Sequence, residues 1–347
     1  METLWFGIIA SMLAVYVILD GFDIGAGIVH FLVARSADER HTVLRSITPF
    51  WDGNEVWLLA AAGTLYFAFP ALYASSFSGF YLPLIIVVWL LMLRGSGIEL
   101  RHQVHSPLWI SLWDVTFAGS SILLAIFFGA ALGNVVRGVP LRSDGFFFEP
   151  LWTTFSITPQ SGILDWFTIL LGIVALFTLT SHGATYVAMK TGGEIHLRAR
   201  RVAARSCWGT LISSMIAFIA TWSIRPDIVK NFSGHPWGYV FPVAGILGLL
   251  GVYFSTTTGH DRTAFLSSSL FIGATLAATA FGVFPNLLTA STDPSYSITI
   301  YNAAAPGYGL GVGLIWWIIG ILLATCYFLY LYRSFRGKVD CIQDEVG

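Results

Sequence analysis

The sequence predicts an all-α polytopic membrane protein with nine transmembrane helices, on three observations. Only 11% of its 347 residues are charged, against roughly 25% in a soluble domain. Hydrophobic residues reach 56% and mean hydropathy is +0.73. The apolar residues fall into nine runs near the length of about 20 residues that crosses a bilayer. A chain so poor in charge cannot coat itself with hydrated groups, which excludes soluble enzymes, secreted disulfide scaffolds and disordered regulators.

The runs are Leu4–Val33, Trp51–Leu72, Ser75–Ile98, Val115–Val136, Ile163–Met189, Ser206–Ile224, Tyr239–Thr258, Thr263–Phe284 and Gly309–Tyr332. They make residues 1–347 a single transmembrane domain, with longer connections near Arg137–Gly162 and Pro285–Tyr308. The N-terminus lacks the basic region and small-residue cleavage site of a signal peptide, so the first run is expected to stay in the mature protein. Fourteen of the 18 Lys and Arg residues fall on one side of this arrangement, from Arg35, Arg40 and Arg45 through Arg94 and Arg101 to Lys338. The other four are Arg137, Arg142, Arg225 and Lys230. By the positive-inside rule the N-terminus faces outward and the Arg333–Gly347 tail is cytoplasmic.

Net charge is −1, so there is no basic field for nucleic acid. Cys207, Cys326 and Cys341 are widely separated and form no CxxC or Cys/His cluster, which leaves zinc, iron–sulfur and covalent haem sites without sequence support. Thr64 to Leu72 and Thr279 to Leu287 share a Phe-Pro-x-Leu ending, a faint sign of parallel internal duplication.

Ionisable groups in a membrane span are costly and by default mark a function or a buried partner. In the first span Asp20 and Asp23 are three apart on one helix face, and Gly21 and Gly25 form a GxxxG that permits close helix approach. Emergence at the inner interface is the competing explanation for these acids. The second span opens on Trp51-Asp52-Gly53-Asn54-Glu55-Val56-Trp57; its acids could simply complement the helix dipole, yet a cytoplasmic helix start is more usually marked by Lys or Arg. Glu99 ends the third span, as a surface partner of Arg94 or Arg101 or as the mouth of a proton path. Asp114, at the start of the fourth span, carries the same two readings as Glu99 with helix capping the stronger alternative, and His182, late in the fifth span, reads as a packing residue more than as a haem ligand. Together the acids occupy the predicted cytoplasmic half, an arrangement suited to collecting protons.

These residues, with Leu19-Asp20-Gly21-Phe22-Asp23-Ile24-Gly25, Gly95-Ser96-Gly97-Ile98-Glu99, Gly133-Asn134, Gly138-Val139-Pro140 and Ser181-His182-Gly183-Ala184-Thr185-Tyr186, resemble subunit II of cytochrome bd-type quinol oxidases, in the right order and over most of the chain. The resemblance implies two four-helix bundles plus one peripheral helix in the bacterial cytoplasmic membrane. It also implies partnership with subunit I, which carries two b-type haems and one d-type haem, whereas this chain binds none. Some members hold a tightly bound quinone in this subunit, and small single-helix accessory subunits are compatible with it; the residue patterns leave both open.

The resemblance implies a terminal oxidase that oxidises quinol and reduces dioxygen to water. Subunit II would support assembly and supply acids to a proton-uptake path from the cytoplasm. Asp20 and Asp52 match family acids, Glu99 stands where an acid is expected, and Glu55 stands where Gln is also usual. The proton-path candidates are therefore Asp20, Asp52, Glu99, Asp23 and Glu55, with no catalytic or metal residue; Gly21, Gly25, Trp51, Asn54, Trp57 and His182 are packing candidates. The competing readings are an ion-coupled secondary transporter, which calls for polar groups at the midplane, and a purely structural partner subunit.

Overall fold

The computed structural model describes residues 1–158 and 161–339. Cys341 and the end of the predicted cytoplasmic tail, 340–347, lie outside the described residues. Twelve α-helices alternate between two ends of a bundle: α1 (Glu2–Val33), α2 (Ala37–Ile47), α3 (Trp51–Ala68), α4 (Pro70–Gly79), α5 (Tyr81–Leu100), α6 (Pro107–Arg137), α7 (Trp166–Lys190), α8 (Gly193–Ile224), α9 (Pro226–Gly234), α10 (Val240–Thr258), α11 (Asp261–Val283) and α12 (Gly307–Ser334). A two-stranded antiparallel hairpin, β1 (Asn286–Leu288) with β2 (Ile298–Thr299), lies between α11 and α12.

Eight of these helices are long and apolar enough to cross a membrane. The eighteen residues of α3 are not among them, because the helix opens on Asp52, Asn54 and Glu55. At about 1.5 Å per residue it still extends ~27 Å.

Local chemistry sets the boundaries. Pro70, whose fixed φ and missing N–H suit a first helical position, starts α4 where the sequence predicts the second span to continue to Leu72. Ser36 and Glu39 form a capping box on α2, and the Asp165 carboxylate accepts from Phe167 N and Thr168 N at 2.8 and 2.9 Å to start α7. The predicted sixth span, Ser206–Ile224, is the second part of the 32-residue α8. The two Phe-Pro-x-Leu copies diverge: Phe69 leads directly into α4, whereas Phe284 leads into the hairpin.

Helix α1 lies against α3, α6, α7 and α11. Its closest approach is to α7, where a Cβ on Gly25 would collide with the Leu179 carbonyl and one on Gly183 with the Gly25 backbone. One core, around Phe22, Phe50 and Tyr186, fills the α2 end; Phe22 stacks on Tyr186 with ring centroids 4.0 Å apart. A second core, around Trp5, Phe69, Phe147 and Leu310, fills the opposite end. By contrast, α12 rides on the outside, with only Leu310 buried.

Candidate functional site: a buried acid–arginine cluster

Asp20 and Asp23 project from the mid-length of α1 and are fully buried, so interfacial solvation does not explain them. Three helices converge there. From α5, Arg94 donates through Nη1 to Asp20 Oδ1 at 2.5 Å and through Nη2 to Glu55 Oε2 of α3 at 3.0 Å. From α3, Asn54 donates through Nδ2 to Asp23 Oδ2 at 2.7 Å and to the Leu19 carbonyl at 3.3 Å. From α12, the Tyr332 hydroxyl donates to Asn54 Oδ1 at 3.1 Å.

One cation thus binds two carboxyl groups, Asp20 and Glu55, while Asp23 is held through Asn54. Burying a charge without a partner costs several kcal/mol, and Arg94 is the partner of Asp20. Glu55 is the cluster's exposed edge: its side chain is 26% exposed, whereas Asp20 and Arg94 are sealed. Asp20 Oδ2, Asp23 Oδ1, Tyr16 Oη, Trp57 Nε1 and Arg94 Nε are also buried and lack a hydrogen-bond partner among the described residues. Close helix approach makes the cluster possible. A Cβ on Gly21 would touch Leu179, and Trp51 packs over Gly95.

The structure divides the predicted residues. Asp20, Asp23, Asn54 and Glu55 come together, while Asp52 and Glu99 stay exposed at the same end of α3 and α5. Asp52 accepts the Gly53 backbone N–H at 2.7 Å, as a helix-start acid does. Arg94 is no membrane-edge anchor and does not pair with Glu99; it is fully buried and belongs to the cluster. The same-charge grouping hid it, since it sits six residues before the end of α5.

Asp114 departs from the capping expectation. Helix α6 starts at Pro107, two turns earlier, and the Asp114 carboxylate instead joins His30 Nε2 at 3.0 Å, Arg101 Nε at 2.6 Å and Arg40 Nε at 2.9 Å. His182 is fully buried, donating from Nε2 to the Ile18 carbonyl at 2.8 Å, with Nδ1 2.7 Å from Ser268 Oγ. Among the described residues no group of three or more His, Cys, Asp or Glu is placed to hold a metal ion.

A second cluster, which the sequence reading misses, lies at the opposite end. Arg137, the last residue of α6, binds Asp165, Glu149 Oε1 at 2.8 Å and Asn134 Oδ1 at 2.7 Å. It also donates to the Gly138 and Gly162 carbonyls, so one guanidinium pins the loop between α6 and α7. Glu149 Oε2 is left buried without a partner. Desolvation pushes the Glu149 carboxyl up to about 7, Arg137 opposing and Asp165 reinforcing the shift.

Fold and cluster define the class: a polytopic helical membrane protein that keeps acids and a compensating arginine inside its bundle. Residues 1–335 match the sequence profile of cytochrome bd terminal oxidase subunit II, and the chain belongs to that family, which places it in a respiratory oxidoreductase. It is 29% identical to the Escherichia coli (strain K12) cytochrome bd-I ubiquinol oxidase subunit 2 over 364 residues, covering 97% of this chain and 94% of that one. Similarity to the Bacillus subtilis (strain 168) cytochrome bd ubiquinol oxidase subunit 2 is 27% over 340 residues, covering 98% and 97%. The fold matches a chain of the solved bd oxidase from Geobacillus thermodenitrificans with a TM-score of 0.73 at 20% identity, over 96% of this chain and 98% of that one.

Proposed function

We propose that the chain is the haem-free subunit of a quinol:dioxygen oxidoreductase, supporting assembly of subunit I and feeding it protons from the cytoplasm. Subunit I carries the two b-type haems and the d-type haem, and membrane lipid and quinone surround the pair. In this reading α3 is the ninth span, the N-terminus faces outward, and the α2 end is cytoplasmic in the bacterial inner membrane. The basic-residue asymmetry supports that orientation.

The observation that carries the proton role is the graded series of acids at one end. Asp52 and Glu99 are exposed, Glu55 is partly exposed, and Asp20 is sealed, joined to Glu55 through the two nitrogens of Arg94. Protons collected at exposed carboxylates pass to Glu55 and then Asp20, with Arg94 bridging the two acids. The unpartnered oxygens of Asp20 and Asp23 are free to receive them. A transporter is less well supported, since the profile that matches residues 1–335 is that of an oxidase subunit.

Neutral isosteres test this with little change in packing. Asp20→Asn and Asp52→Asn each lower oxidase turnover or proton uptake in a complex that still assembles with its haems, and Glu99→Gln, which water can bypass, does less. Normal turnover with normal proton uptake in both Asn variants leaves only the structural role.

A further inference from the structure

We infer that His41 and His102 form a binding site for a borderline divalent transition-metal cation, of the Zn2+ type, on the surface of the α2 end. His41 stands in the middle of α2, and His102 in the turn that follows α5. Their ring centroids are 4.8 Å apart, with the planes inclined at 46°. An imidazole nitrogen binds Zn2+ at about 2.0 Å, which puts each ring centre roughly 3.2 Å from the metal. Two rings sharing one cation then subtend roughly 97° at it, between octahedral and tetrahedral values. The two rings are therefore close enough to share one cation.

His105, exposed and three residues beyond His102, lies on the same connection between α5 and α6. An imidazole binds a cation through the lone pair of an unprotonated ring nitrogen. Asp38 attracts a cation at His41, and Glu99 and Asp114 do so at His102, against Arg45 and Arg101. Two protein donors, with water completing the shell, make an exchangeable site that staples α2 to the turn between α5 and α6.

The test is isothermal titration of the purified full-length protein in detergent with ZnCl2. The wild type binds one Zn2+ at this site. His102→Ala, on an exposed turn, and His41→Ala each weaken that binding at least tenfold, while His260→Ala, on another turn, leaves it unchanged. A parallel loss in His105→Ala supports the same site with a third donor. Absence of binding by the wild type, or wild-type binding by both His41→Ala and His102→Ala, overturns the site. The intact stability of His102→Ala, followed by thermal melting without metal, separates lost ligation from lost folding.

Discussion

The guanidinium of Arg94 donates to the Asp20 carboxylate at 2.5 Å, with both side chains wholly shielded and 74 residues of chain between them. Removing one partner of such a pair strands the other charge, at a cost of about 3–5 kcal/mol. Arg94→Met is therefore expected to lower the thermal midpoint of the detergent-solubilised protein strongly. Adding Asp20→Asn to Arg94→Met restores much of the loss, because the stranded carboxylate is gone. A double variant no more stable than Arg94→Met refutes the pairing as a stability determinant.

The Glu149 carboxyl gives a pH dependence of the opposite sign to an ordinary salt bridge. Its value in the folded loop is about 7, above the ordinary 4.5. A group that binds its proton more tightly when folded stabilises at low pH, and that contribution is lost as pH rises from 4.5 through 7, by roughly 3 kcal/mol in all. Hydrogen exchange in the loop between α6 and α7 should accelerate across that interval, and Glu149→Gln should flatten the dependence. Equal pH profiles in the two proteins would falsify the assignment.

Close contact between α1 and α7 depends on having no side chain at Gly25 and Gly183. Overpacking of this kind costs about 1–3 kcal/mol. Gly25→Ala should destabilise by that order, whereas Gly7→Ala, with open space around it, should change the melting midpoint little. Equal effects at the two positions would show that the contact is not tight.

Orientation is open to a direct measurement. Reporter fusions after Gly145, in the loop between α6 and α7, and after Arg336, beyond α12, should report opposite compartments, with Arg336 cytoplasmic. The same compartment for both refutes the topology.

Much of the architecture was legible because lipid imposes a simple pattern: long apolar runs become helices wherever backbone polar groups have no water to bind. The burial of Asp20 and Asp23 beside Gly21 and Gly25 was legible for a related reason, since an acid in such a run needs a protein-facing side. Arg94 was not. Near the end of an apolar run, an arginine that anchors at the interface and one that turns inward to an acid 74 residues away have the same local sequence. Asp114 failed similarly, because its His30 partner is 84 residues distant. The Arg137, Glu149 and Asp165 cluster was hidden by its place in a connection, where charged residues are ordinarily solvated. Glu55 looked dispensable as one residue among interfacial acids, and only its bond to Arg94 distinguishes it.

Helix α12 has a mean hydropathy of 2.2 over its most apolar window, none of which is buried by the rest of the chain. It needs no neighbour to enter lipid. Yet its Tyr332 is the residue that reaches Asn54, and Lys190 of α7 grips the carbonyl of Phe335 just beyond it at 2.6 Å. The polar chain through Asp23 and Asn54 is therefore closed by a hydroxyl from a helix that the rest of the bundle leaves facing lipid. A chain truncated before α12 would lack that hydroxyl, and with it the bond that ties the acid cluster to the outermost helix.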